Sequence, residues 1–158
     1  MGLAGRYFSE RDLKVVNSFS GELMGDIIQT EVTLYKIAVN ETKTNVYGEA
    51  DQTSGGLSFY PGVECTALIA REDITTEYSE FGPDRKQDVV FKFRENMLKL
   101  INLFPQVGDI ILFNERYHEI DNVVQEQMLG GIADKSYSII CNTHYSKLSK
   151  LNLVNRQF

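Results

Sequence analysis

Five residues in the C-terminal third carry the side chains with which proteins do chemistry: His118, Glu119, Asp121, Cys141 and His144. On paper, imidazole, carboxylate and thiolate donors of these types assemble into a zinc site. Their spacing argues otherwise. His118 and Glu119 are neighbours in a strand-like run, where successive side chains point to opposite faces, and neither histidine has a second at metal-ligand spacing. HExxH, GxSxG, P-loop and dinucleotide fingerprints are all missing from the sequence. The reading is of a protein that is not an enzyme, with no catalytic residue, cofactor or metal.

The element that must position His118 and its neighbours is the run VGDIILFNERYHEIDNVVQEQ, Val107 to Gln127, which has the pattern of a β-hairpin with apolar groups on both faces. A three-residue turn, Asn114-Glu115-Arg116, sets Phe113 opposite Tyr117 and Ile111 opposite Glu119. Alternation then separates two faces. Ile110, Leu112, Ile120 and Val124 form the natural core face; Ile111, Phe113, Tyr117 and Val123 stand among carboxylates on the other. Such an outward apolar centre with a polar rim has the composition of a contact surface. A helix or loop folded back over it is the competing reading.

Around this hairpin the chain reads as mainly β. Ser9 is a capping candidate for an N-terminal helix with Leu13, Val16, Phe19 and Leu23 at helical spacing, ending near Gly21 or Gly25. Alternation from Thr30 to Ile37 marks a strand, and LSFYPGVECTALIA reads as strand, Pro61-Gly62 turn, strand. TTEYSEFGPDRKQ is a turn-rich connection. DVVFKFRENMLKLINLFP passes from strand period to about two helical turns closed by Pro105. SYSIICNTHY is a further strand, and the segment from Leu148 onward is a last strand or a docking arm. GDII at Gly25 and again at Gly108 is a coincidence of β-rich sequence, because the copies diverge beyond four residues.

The fold class expected is a small β-barrel or sandwich of six to seven strands with an N-terminal helix and one short internal helix. A single domain spans 1–158: a helical arm over 1–28, a barrel core over 29–147 and a tail over 148–158. Within the core, 40–56 is a long loop of turn-forming composition that includes Thr44, Asn45 and Tyr47. Loops of that length are either functional or disordered.

Composition narrows the class. With 158 residues, 42% hydrophobic and 24% charged, the chain has the make-up of one globular domain rather than a disordered one. No apolar run reaches the roughly 18 residues that a membrane helix needs, and the first residues turn charged before a signal peptide core can form. A soluble protein made and used in a cytoplasm is expected. Cys65 and Cys141 lie in apolar runs, so two buried thiols are expected in place of a disulfide. The net charge is -6; no acidic residue follows Asp134, while Lys135, Lys147, Lys150 and Arg156 do, so the last 24 residues carry +4 and residues 1–134 carry -10. An acidic body does not wrap nucleic acid. The basic end is either incidental or one of two unlike surfaces that stack on each other.

PQVGDIILFNERYHEIDNVVQEQ, with VVFKFRENMLKLINLF before it and SYSIICNTHYSKLSK after it, resembles the neck proteins of large contractile-tailed bacteriophages, the head-completion or head-closure family. The likeness is strongest from about Phe59 to Lys150. It implies a structural protein of the virion, made in the host cytoplasm, that forms a ring, typically sixfold, between the portal or connector and the tail. Such a ring closes the DNA-filled head and gives the tail its platform. The implied partners are other copies of the chain, the portal or connector protein, the tail-terminator or tail-tube protein, and double-stranded DNA passing through the lumen without sequence-specific binding; no membrane is involved. Similarly patterned barrels make tail-terminator and connector-adaptor rings, so the resemblance specifies the particle better than the ring. The candidate contact residues are Ile111, Phe113, Tyr117 and Val123 of the hairpin, Thr44, Asn45 and Tyr47 of the long loop, and Lys147, Lys150 and Arg156 of the tail. A rival from another class is an OB-like single-strand nucleic-acid binding module, in which Tyr35, Tyr60, Phe91 and Phe93 stack on bases; in strands like these they are equally core residues.

Overall fold

The computed structural model describes residues 10–28, 30–39, 57–127, 136–146 and 151–152. Helix α1 (Glu10–Glu22) runs into a π-helical turn, Leu23–Ile28. Among the described residues nine strands follow: β1 (Glu31–Tyr35), β2 (Leu57–Ser58), β3 (Val63–Thr66), β4 (Leu68–Ser79), β5 (Gly82–Arg94), β6 (Ile110–Phe113), β7 (Arg116–Gln127), β8 (Ser136–Ser146) and β9 (Leu151–Asn152). A short helix, α2 (Glu95–Leu100), sits between β5 and β6. The molecule is thus mainly β, with an N-terminal helix and a short second one, as the patterns predict. No described helix is long and apolar enough to cross a membrane.

Seven strands form one antiparallel sheet in the order β3-β1-β6-β7-β8-β5-β4. Its two ends are consecutive in the chain: only Ala67 separates β3 from β4. A single residue spans under 4 Å per peptide step, so the sheet must curl until its ends meet at Ala67, which is 1% exposed and donates its N–H to Thr30 O. The result is barrel-like. Val32, Leu34, Cys65, Val89, Phe91, Phe93, Ile111, Ile120, Ile139 and Cys141 fill its inside, and Leu98 of α2 joins them. Val89, Phe91 and Phe93 are at alternate positions of one strand and are all fully buried, the period-two pattern realised. Cys65 and Cys141 are buried free thiols; burial pushes them up to about 11 and about 12.

Four local expectations change. The internal helix stops at Leu100 instead of continuing to Pro105, because Asn102 takes a left-handed conformation, φ 50°, and Leu103 N–H turns back to Leu98 O at 3.0 Å. The turn-rich connection TTEYSEFGPDRKQ is mostly ladder: β4 and β5 pair out to Ser79↔Gly82, leaving Glu80-Phe81 as a two-residue turn, with Gly82 at φ 111°, where a side chain would be strained. On α1, Phe19 is 66% exposed and the buried residue is Met24 in the π-helical turn. The turn expected at Pro61-Gly62 is not formed: Phe59 pairs with Ile37 and Val63 with Leu34, so the chain runs on alongside β1, and a Cβ on Gly62 would lie 2.5 Å from Thr33 and 2.7 Å from the Tyr35 ring, so the close approach there needs glycine. Leu151–Asn152 pairs in parallel with Leu57–Ser58, so part of the tail is a strand. Ser9, the loop 40–56 and Lys147, Lys150 and Arg156 lie outside the described residues.

Candidate functional site

The hairpin closes one residue earlier than its composition suggests. Phe113 pairs with Arg116, Leu112 with Tyr117, Ile111 with His118 and Ile110 with Glu119. Asn114 and Glu115 both have positive φ, 49° and 63°, the signature of a two-residue type I′ turn, whose twist matches that of the strands. A change of one in turn length inverts the parity of β6 relative to β7. Ile111 is therefore 0% exposed inside the barrel, and Phe113 is half-buried with its ring edge-on to Phe91 at 5.7 Å. Val123 turns inward as well, because the β7–β8 register shifts between Ile120 and Asn122 and this bulge resets the alternation. Of the four hairpin contact candidates, Ile111 is a core residue, and Phe113 and Val123 are partly buried and packed against the core. Tyr117 stays on the outer wall, partly buried, 6.3 Å from the Tyr35 ring. Of the proposed core face, Ile120 lines the barrel, Ile110 is buried on the opposite side of its strand, and Val124 is 45% exposed.

The residues with chemical potential are divided by the barrel wall. His118 and Cys141 are inside, 0% exposed. Glu119, Asp121 and His144 are outside, where His144 Nδ1 lies 2.7 Å from Asp121 and Nε2 lies 3.8 Å from Glu119. Among the described residues no group of three His, Cys, Asp or Glu side chains is arranged to hold a metal. His118 contacts Phe91 and Tyr145, ring centroids 5.8 and 6.4 Å away, and neither ring nitrogen has a hydrogen-bond partner. Burial lowers its pKa to about 4, with Arg116 and His144 pushing the same way and Glu72 opposing. Phe91 and Phe93, stacking candidates for a nucleic-acid reading, are fully buried core.

The polar residues that do meet are structural. Arg116 donates to Gln87, which donates to Glu72, each at 2.5 Å, forming a polar chain beside the buried His118 wall. Burial alone would raise the Glu95 carboxyl, but hydrogen bonds from Lys99 and Ser136 hold it below its usual range. Glu126 is likewise held low against its desolvation by Lys92, Ser138 and Tyr137. Asp109, expected only as part of a strand opening, is a buried cross-link between β1 and the loop after α2.

Large exposed apolar side chains lie elsewhere. The β5–β8 ladder ends at Asp88↔His144, yet β4 and β5 continue for six more pairs, from Ile74↔Gln87 to Ser79↔Gly82. At about 3.3 Å per residue this two-stranded ribbon projects about 20 Å from the body. Ile74, Tyr78 and the turn residue Phe81 are 48%, 83% and 99% exposed. A second apolar stripe, Val15, Phe19 and Ile27, is exposed on α1 and its π-helical turn. The signals for the ribbon were present in the sequence as Ile74-x-Thr76-x-Tyr78 alternation; turn-forming residues masked them.

No protein-family model matches this chain, and no curated protein matches it.

Proposed function

We propose that this chain is a structural ring subunit of the neck of a contractile-tailed bacteriophage, closing the filled head and presenting the tail's attachment platform. The observation that carries the reading is the pair of unlike apolar surfaces on one subunit: the projecting ribbon with Ile74, Tyr78 and Phe81, and the α1 stripe with Val15, Phe19 and Ile27. A ring closed by rotation needs two different patches per subunit, because each copy meets its neighbours head to tail. An isolated two-stranded ribbon is marginal in water and gains stability when its apolar face is covered. The resemblance over Phe59 to Lys150 supplies the particle, and the net charge of -6 suits a lumen through which DNA slides without being gripped. The partners are further copies of the chain, the portal or connector on one side, and a tail-terminator or tail-tube protein on the other. Thr44, Asn45, Tyr47, Lys147, Lys150 and Arg156 remain contact candidates in this reading, and Tyr117 is the one hairpin candidate still on the outer wall.

Electron microscopy of lysates from a phage carrying this gene with an early stop codon tests it. Filled or leaking heads beside separate finished tails are expected; intact virions would overturn the reading.

A further inference from the structure

Strand β4 is the last strand of the sheet order, so its outer side from Arg71 to Ser79 pairs with no other strand among the described residues. An exposed strand edge is a template for another strand. Sequences that keep such an edge monomeric place like charges where a second copy would meet the first. The sequence here, Arg71-Glu72-Asp73-Ile74-Thr75-Thr76-Glu77-Tyr78-Ser79, can be tested against itself.

In an antiparallel pair, directly opposed residues lie on the same face of the sheet, so the possible twofold registers are those in which some residue faces its own copy. With Asp73 at the centre, the two Asp73 carboxylates face each other. With Thr75 at the centre, Asp73 faces Glu77 twice, and with Thr76 at the centre Glu72 faces Glu80 twice. With Glu72 at the centre, its carboxylate meets its own copy. Each of these sets like charges directly opposite, which destabilises a ladder. With Ile74 at the centre, Arg71 faces Glu77 twice, Glu72 faces Thr76 twice, Asp73 faces Thr75 twice and the two Ile74 side chains meet on the axis. Only this register of the five is free of like-charge opposition, and it adds two opposite-charge pairs.

The geometry points to an isologous dimer formed by antiparallel pairing of β4 edges about Ile74, with the occupant of each edge a second copy of this chain. Arg71 and Glu77 are available for it: their side chains are 71% and 62% exposed, and their ion pairs within the subunit, with Asp73 at 2.5 Å and Lys86 at 2.6 Å, are surface pairs that can be shared or exchanged. Pairing joins two marginal ribbons into a four-stranded sheet whose shared face carries Ile74 and Tyr78 from both copies, which meets the three-strand requirement for a stable sheet. The contact is twofold and does not depend on the neck reading; it uses the ribbon that the head-to-tail ring would cover, so it belongs to free subunits and would be exchanged for the ring contact on assembly.

Sedimentation or light scattering of the full chain across a concentration series reads the dimer directly, with circular dichroism to verify the fold of each variant. Arg71→Glu and Glu77→Arg, both on exposed side chains, are each expected to raise the dimer dissociation constant about tenfold or more, because each creates two like-charge oppositions. Combining Arg71→Glu with Glu77→Arg is expected to return it to within about threefold of the parent. A monomer throughout the series, a dimer indifferent to either single reversal, or a double reversal that fails to rescue would each overturn the proposal. Stop-codon lysates showing intact virions would leave the dimer untouched, so the two readings fail separately.

Discussion

The Lys36 ammonium lies 3.2 Å from a carboxylate oxygen of Asp109, a residue with no exposed surface. The other Asp109 oxygen accepts the N–H of Ile37 at 3.1 Å, and the first also accepts the N–H of Gln106 at 2.8 Å. Lys36 in turn donates to Phe104 O at 2.6 Å. One buried carboxylate thus ties the end of β1 to the loop that follows α2, just beyond the last β1–β6 ladder pair, Tyr35↔Ile110.

Replacing that carboxylate strands its donors. Asp109→Ala leaves two backbone N–H groups and one cation without their acceptor, and a cost of about 3 kcal/mol is expected. Lys36→Met should cost less, since Lys36 is partly exposed and the backbone N–H bonds to Asp109 survive. Urea unfolding of the two variants measures both; equal losses would mean that the ion pair, not the backbone bonding, carries the link.

His118 makes stability depend on pH. Its folded pKa of about 4 lies below its ordinary 6.5 because of burial, aided by Arg116 and His144 and opposed by Glu72. A depressed histidine pKa means the unfolded chain binds the extra proton first. The neutral ring's contribution is complete above pH 6.5 and is lost as pH falls from there toward 4, by roughly 3 kcal/mol. His118→Phe removes the titration and two unpaired nitrogens from a site walled by Phe91 and Tyr145. The difference between variant and parent should therefore grow as pH drops from 6.5 to 4. Parallel stability curves over that window would show that the ring is hydrated or paired.

Phe113 and Tyr117, neighbours on the surface in the three-residue-turn reading, should behave differently. Phe113 packs edge-on against Phe91 inside the barrel, so Phe113→Asp buries a charge in the core and is expected to cost about 3 kcal/mol or more. Tyr117 sits on the outer wall, partly buried against Tyr35, and Tyr117→Asp should cost less than half as much. Denaturant midpoints separate the two; similar losses would put Tyr117 in the core as well.

What the sequence made legible follows from which signals are local. The Val89-Phe91-Phe93 alternation, the burial of both cysteines and the existence of both helices rest on patterns within a few residues, and each is present in the structure. Faces of the β6–β7 hairpin were misread because parity along a ribbon is set by one turn residue and one bulge. Arg116 has no feature that marks it as strand instead of turn, and nothing in Ile120-Asp121-Asn122 announces a register shift. The projecting ribbon was hidden for the opposite reason. Gly82 and Pro83 belong to its tip, and their turn chemistry coloured the flanking strand residues Ile74 to Tyr78. Asp109 was invisible as a cross-link, since its partners Lys36 and Ile37 are about seventy positions away and meet it only once β1 pairs with β6.

The turn that set the hairpin register is itself under strain that can be relieved. Glu115 has φ 63°, in the left-handed region where a Cβ costs about 1 kcal/mol and glycine is unpenalised. It is exposed at the ribbon tip, and neighbouring Asn114, at φ 49°, is of the type that tolerates that region. Glu115→Gly creates the Asn-Gly pair that type I′ turns favour. The gain in the folded state outweighs the extra freedom glycine brings to the unfolded chain, because a residue strained in the native turn gives up more than that freedom costs. A net stabilisation of about 0.5 kcal/mol is expected, read as a higher urea midpoint at unchanged slope. A lower midpoint would mean that Phe113 and Tyr117 sit opposite each other after all, with Arg116 in a three-residue turn that needs no second left-handed residue.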